Sequence, residues 1–172
     1  WARPRSGFTL LMEAMMVLFS QTGMTVAEAA RTMYATAHRI WRVLFHHVQR
    51  AHQQIEVSAV TQLTVDETSV RRGHHYVTVV CEPGSQEEKR STRVLFVAEG
   101  REAAAVEQAK VFLEERGLPS SQIREVCADM SPAYAKGIRE QFREARLVLD
   151  FFHVVQLLTT AVDTVRRRES AR

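Results

Sequence analysis

At 172 residues the chain is long enough for one medium domain, or for a small domain beside a larger one. A composition of 45% hydrophobic and 25% charged residues, with seven Gly and four Pro, excludes a disordered chain, a coiled-coil rod and any collagen-like or low-complexity design. A net charge of +3 and a sequence pI near 9.2 permit a nucleic-acid partner without requiring one.

No apolar run approaches the roughly 20 residues that a membrane helix needs. The longest, Phe8 to Phe19, is interrupted by Glu13. With no signal peptide either, the expectation is a cytoplasmic protein without a membrane partner. Cys81 and Cys127 sit in apolar stretches with no paired spacing, which points to buried free thiols rather than a disulfide or a zinc site. The chain begins at Trp1 rather than Met and stops just after Arg166, Arg167 and Arg168 on a helical pattern. That reads as a piece of a longer protein.

From Phe8 to about Gln54 the pattern is helical. The first helix, Phe8 through Phe19, ends at Thr22-Gly23. Thr25-Val26-Ala27-Glu28 is a capping box that opens a short helix through Ala29, Ala30 and Met33. A break follows at Tyr34-Ala35, with Thr36 as the next cap. The third helix places Ala37, Trp41, Leu44 and Val48 on one face. Its other face carries His38, Arg39, Arg42, His46, Gln49 and Arg50.

No Asp or Glu occurs between Glu28 and Glu56. A short helix, a tight turn and a longer acid-free helix with an Arg face form the helix-turn-helix pattern, whose second helix enters the major groove of DNA. Thr36, His38, Arg39 and Arg42 are the base-side candidates, and Arg31 and Arg50 the phosphate-side ones. The competing reading is a helical hairpin with a solvated basic face. His46, His47 and His52 lack Cys or acid partners at ligand spacing, so a solvated or DNA-facing surface outweighs a metal site. Trp41 is expected in the core, with stacking on DNA bases as the lesser alternative. Residues 1–56 form the helical DNA-binding segment on this reading.

At Thr61 the period changes. Thr61 to Asp66, His75 to Cys81 and Thr92 to Ala98 read as three strands rich in Val and Thr. Glu82-Pro83-Gly84-Ser85 and the charged Gln86 to Arg90 form a surface connection. Residues 102–116 form a helix, with Val106, Ala109, Phe112 and Leu113 inward. Ile123 to Ala128 is a strand, and Ser131-Pro132 opens a helix with Pro at its first position, on which Tyr134 is a core aromatic. Leu147 to Leu149 is a short strand. Val154, Leu158, Ala161 and Val165 form the core stripe of a last helix. The order βββαβαβα predicts an α/β chain whose residues 57–172 form a mixed sheet of the ribonuclease-H-like type, antiparallel at one side and parallel at the other.

Three acids occupy equivalent places. Asp66 follows the first strand, Asp129 the fourth and Asp150 the fifth. A carboxylate beside a buried strand is costly to desolvate unless paired, hydrogen-bonded or bound to a cation. Sites in such sheets gather at strand ends. Converging acids make a hard-oxygen site suited to Mg²⁺ or Mn²⁺, and two such ions serve phosphodiester chemistry. Each acid also has a structural reading: Asp129 as a residue that merely precedes a capped helix, Asp150 as a helix cap, Asp66 as a partner for Arg71 or Arg72. His153, beginning the last helix beside Asp150, is a possible accessory residue or a structural hydrogen-bonding group.

Val65-Asp66-Glu67-Thr68-Ser69, Ala128-Asp129-Met130-Ser131-Pro132-Ala133-Tyr134 and Asp150-Phe151-Phe152-His153-Val154 resemble the catalytic core of the ISL-three family of bacterial insertion-sequence transposases, which have a DDE active site. The run from Ala161 to Arg167 and the opening Trp1-Ala2-Arg3-Pro4 with Gly7-Phe8-Thr9 extend the resemblance over essentially the whole chain. It implies metal-dependent DNA cleavage at element ends followed by attack of the 3′-hydroxyl on target DNA. It further implies a homo-oligomeric complex on the terminal inverted repeats, in a bacterial cytosol. Asp66 matches the first D and Asp129 the second. The final E lies farther downstream in the family, and a zinc ribbon precedes the opening residues. Glu169 is a poor substitute, about 19 × 1.5 Å along the last helix from Asp150. A chain of this extent is therefore expected to be inactive alone. The Gly84 to Arg90 connection is longer than the usual family hairpin.

Two rival functions use the same residues. A non-catalytic helix-turn-helix regulator would leave the acids without affinity for divalent cations. A structure-specific nuclease of the same fold would cut without joining.

Overall fold

Thr9 and Thr25 each start a helix by accepting a backbone N–H that would otherwise lack a partner. Thr9 accepts from Met12 at 3.2 Å and opens α1, Leu10–Gln21. Thr25 accepts from the Glu28 amide at 3.3 Å while the Glu28 carboxylate takes the Thr25 amide at 2.9 Å, the full capping box of α2, Val26–Thr32. Tyr34, in the left-handed region at φ +49°, turns the chain into α3, Ala37–Gln53. Thr36 stands at the cap position of α3, but its side chain makes no capping hydrogen bond.

This computed structural model describes residues 1–71, 75–85, 90–100 and 102–170. The chain divides into two units, Trp1–Ile55 and Glu56–Arg172. The first is cored by Phe8, Met16, Ala29, Ala30, Ile40, Val43 and Leu44. The buried stripe of α3 is thus Ile40, Val43 and Leu44 rather than the expected Ala37, Trp41, Leu44 and Val48. Trp41 and Val48 are 59% and 64% exposed, so Trp41 is not a core aromatic. The helix carries two apolar stripes about a quarter-turn apart that share Leu44. The small Ala29 and Ala30 of α2 let α3 approach along the Ile40 side, which turns the other stripe to solvent.

Glu13 is the unexpected centre of this unit. It is 1% exposed, yet it accepts from the Ser6 hydroxyl, from Arg3 Nε at 3.3 Å and from His47 Nε2 at 3.0 Å, with Arg3 Nη2 also at 3.2 Å. Residues 2–9 close on themselves through a bridge between Ala2 and Thr9. Arg39 Nη2 donates to the Gly7 carbonyl at 3.0 Å and its guanidinium stacks over the Phe8 ring at 4.2 Å. Arg42 Nη2 donates to the Arg5 carbonyl at 2.8 Å. Gly7 has φ +74°, and a Cβ there would stand 3.0 Å from Arg39 Nη2, so only glycine suits the position.

The second unit contains β1 (Gln62–Arg71), β2 (His75–Glu82), β3 (Arg93–Glu99), α4 (Ala103–Glu115), β4 (Glu125–Ala128), α5 (Pro132–Gln141), β5 (Arg146–Leu149) and α6 (Phe151–Ser170). The strands lie in the order β3-β2-β1-β4-β5. The β1–β2 and β2–β3 pairs are antiparallel; β1–β4 and β4–β5 are parallel. This is the expected ribonuclease-H-like sheet. Along β1, buried Leu63 and Val65 alternate with Thr64 and Asp66, and along β2 buried Thr78 and Val80 alternate with Val77 and Val79. That period of two marks one face covered by α4 and α5 and one left open. Gly137 of α5 makes the cover tight: a Cβ there would meet Ala103 backbone at 3.2 Å.

Several boundaries differ from expectation. β1 runs on to Arg71 because its outer half pairs with β2 beyond the reach of β4, so Asp66 lies inside a strand. Glu82 closes β2 rather than starting a turn, buried between Arg90 Nη1 at 2.5 Å and Arg93 Nη2 at 2.8 Å. Arg72, the suggested partner for Asp66, and Gln86 to Lys89 of the expected surface connection lie outside the described residues. The expected core stripe of the last helix does not form: α6 has no buried residue, and Leu158 and Val165 are 61% and 59% exposed. A helix leaving an edge strand lays only its first turn on the sheet, and the partial cover stops near Val154 apart from Asp163. No helix among the described residues is long and apolar enough to cross a membrane.

Burial acts to raise the Glu13 carboxyl, but hydrogen bonds from Ser6, Arg3 and His47 and the charge of Arg3 hold it below its ordinary 4.5. A depressed carboxyl contributes stability that is complete above pH 4.5 and is lost as the pH falls through its lowered folded value. Glu13→Gln should destabilise the first unit by about 2 kcal/mol near neutrality. The variant should also flatten that acid limb, read from urea unfolding between pH 3 and 7, chosen to span roughly the carboxylate range.

Candidate catalytic carboxylates and helix-turn-helix unit

Parallel pairing brings each acid one residue past a paired position. Val65 of β1 pairs with Ala128 of β4, and Ala128 pairs with Leu149 of β5. The next residue on each strand is Asp66, Asp129 and Asp150. This placement is pinned at its end by the Asp150 amide, which donates to the Ala128 carbonyl at 2.8 Å.

Each carboxylate is tied to local backbone. Asp66 Oδ1 accepts from the Glu67 amide at 2.8 Å, and Asp129 Oδ1 from the Ser131 amide at 2.9 Å at the start of α5. Asp150 Oδ1 accepts from the Phe152 amide at 2.9 Å and Oδ2 lies 2.9 Å from His153 Nδ1. The Phe152 amide is the main reason the Asp150 carboxyl falls below its usual range. Partial burial opposes it, and the hydrogen bond and charge of His153 assist. The cap reading of Asp150 therefore holds as geometry, and Asp129 stands two residues before the cap position of α5. Capping uses one or two lone pairs, and a carboxylate has about four.

A depression of about 420 Å³ opens on the uncovered side of the sheet, lined by Asp66, Glu67 and Asp150 with Thr64, Cys81 and Cys127 on its floor. Asp129 is not among its lining residues. Both thiols are free and half-buried; burial pushes each up, Cys127 further under Asp150 and Asp66 and Cys81 under Asp66. On the covered side, the buried Tyr134 hydroxyl lies 2.8 Å from Thr78 Oγ1, which donates to the Gly100 carbonyl at 2.8 Å. Burial raises the phenol, and the charges of Glu67, Asp129 and Asp66 raise it further. Asp66 thus bears on Asp150's side of the sheet and on Asp129's. Among the described residues, no three His, Cys, Asp or Glu side chains converge closely enough to hold a metal ion. Their donors are hard carboxylate oxygens, the type suited to Mg²⁺ or Mn²⁺.

In the first unit, Arg31, Thr36, His38 and Arg50 are exposed. Arg39 and Arg42 each give an N–H to a carbonyl of residues 5–7, a structural task that spacing on one helix does not reveal. His47 goes to Glu13. The signal missed in the sequence was Glu13 itself, a charge within an apolar helix, which must be compensated if it is buried.

Residues 63–172 match the model of the DDE transposases of this type, described as transposase, and residues 1–48 match the helix-turn-helix domain of transposase family ISL3. The chain belongs to this transposase family. A transposase for insertion sequence element IS1557 from Mycobacterium tuberculosis is 29% identical over 175 aligned positions, covering 98% of this chain and 36% of its own length. The transposase for IS1001 of Bordetella parapertussis is 34% identical over 99 residues, 57% of this chain and 22% of its own. The chain thus spans about a third or less of these relatives. A chain of the simian T-cell lymphotropic virus intasome, solved by cryo-EM with PP2A regulatory subunit B56 gamma, aligns at TM-score 0.36 and 17% identity, covering 84% of this chain and 55% of that one. The fold assignment stands on the strand order rather than on that likeness.

A phenol whose folded value is raised contributes stability that is complete below its ordinary 10 and is lost as the pH rises through the raised value. Tyr134→Phe should remove this alkaline limb, and should also cost about 1 kcal/mol near neutrality through the lost bond to Thr78. Urea unfolding at several pH values on either side of about 10 reads both effects.

Proposed function

We propose that this chain carries the DNA-reading unit and two of the catalytic acids of an insertion-sequence transposase, an enzyme of metal-dependent DNA strand cleavage and strand transfer. The observation that carries the reading is that Asp66, Asp129 and Asp150 each stand one residue past a paired position on the parallel strands β1, β4 and β5 of a chain of this family.

Asp66 and Asp129 are assigned as ligands of a divalent cation, Mg²⁺ or Mn²⁺. When bound, it would supply positive charge for the attacking and leaving oxygens of a phosphodiester. Asp150 orients His153 through Nδ1, which leaves Nε2 as the nitrogen free to meet a phosphate oxygen or hold a proton. The two carboxylates offset only half the charge of a pair of divalent ions. The 172-residue chain alone is therefore assigned as inactive. Arg31 and Arg50 are assigned to phosphates, and Thr36, His38, Arg39 and Arg42 to the base-side surface of α3. Element ends and target DNA are the partners, with a homo-oligomer as the working complex in the bacterial cytoplasm.

The test uses labelled element-end DNA. In a full-length transposase containing this sequence, Asp66→Asn or Asp129→Asn should reduce Mn²⁺-dependent cleavage and joining to background, while the 172-residue chain alone cleaves nothing. Robust cleavage by the short chain that is lost on Asp150→Asn would overturn the assignment of the acids. Cutting without joining would favour a nuclease, and no affinity of the acids for Mn²⁺ a regulator. Arg31→Ala and Arg50→Ala should each lower the salt slope of DNA binding by about one unit. An unchanged slope would remove those residues from the interface.

A further inference from the structure

We propose that Trp41 and Phe45, with Val48 behind them, read thymine methyl groups in the major groove. This deepens the DNA-reading assignment of the first unit and rests on it. The three side chains are 59%, 62% and 64% exposed and lie at i, i+4 and i+7 on α3. The stripe is not needed to build the unit, because Ile40, Val43 and Leu44 already bury the adjoining side of the helix. Exposed large apolar side chains clustered on one face mark a surface that another molecule covers.

The charge around the stripe selects its occupant. No acid lies between Glu28 and Glu56, while His38, Arg42 and Arg50 share the exposed arc of the helix. A polyanion fits that setting and a basic protein surface does not. Among the four base pairs, the C5-methyl of thymine is the apolar group displayed in the major groove, and a helix about 10–12 Å wide fits its width of about 12 Å. At the same helix end Arg39 and Arg42 each give one N–H to the backbone of residues 5–7, which limits their reach. The aromatic flank lies beside these base-side residues and adds apolar contact to their polar one.

The test compares one duplex in two chemical forms. A 20-base-pair fluorescent duplex, enriched from a random pool by the 172-residue chain, is resynthesised with deoxyuridine in place of thymine, which removes only the methyl groups. The chain should bind the thymine form more tightly, by roughly fourfold for each methyl covered. The Trp41→Ser, Phe45→Ser double variant should bind both forms equally, and Trp41→Phe should keep the preference. Because both residues are exposed, the variants should melt with the parent by circular dichroism. Equal binding of the two forms by the parent overturns methyl reading and leaves DNA binding intact. A preference that persists in the double variant overturns the assignment to these residues. Failure to bind any duplex overturns the DNA assignment itself, and a dimer lost only on Trp41→Ser assigns the stripe to a second copy of the chain.

Discussion

The parallel pairing of β1, β4 and β5 is the constraint on which the second unit depends. Two strands that run together in register deliver their next residues side by side, whatever those residues are. Here the residues that follow Val65, Ala128 and Leu149 are all aspartates. Bringing carboxylates to neighbouring strand ends is unfavourable in itself. The fold offsets it by giving each one a backbone N–H to accept and by leaving the face that holds Asp66 and Asp150 open to water. The opposite face takes the apolar burden, where α4 and α5 close over Leu63, Val65, Val80, Val126 and Ala128.

The first unit is organised the other way round, with its charge inside. Glu13 gathers Ser6, Arg3 and His47, and so joins the opening residues to two helices that would otherwise meet only through apolar contact. Breaking one partner of such a cluster is costly because it leaves the others desolvated and uncompensated. The loop of residues 2–9 is thereby a structural part of the helical unit, and its carbonyls occupy Arg39 and Arg42.

What could be read in the sequence follows from how local each signal was. Capping boxes, Gly stops and strand alternation depend on neighbours a few residues away, and Thr25, Gly23 and the order of all five strands were legible. The acids were legible because a hydrophobic run followed by Asp repeats at three strands. The choice between two stripes on α3 was not, since Leu44 belongs to both and only the small residues of α2 decide which one is buried. Nor was the fate of α6, whose spacing looks amphipathic although nothing described covers it past its first turns. Arg39 and Arg42 looked like pure surface charge because their partners lie more than thirty residues away, on backbone oxygens that no residue type announces.

The floor beneath the acids has a consequence of its own. Cys81 and Cys127 both flank Thr64, and burial and the neighbouring carboxylates push both thiols up. A protonated thiol is a poor ligand for soft ions. Under the proposed function the pocket would therefore favour oxygen-seeking cations over thiophilic ones although two sulfurs line it. Substituting sulfur into a phosphate bound there would then place a soft donor on the nucleic acid, so a change of metal preference would report on the substrate.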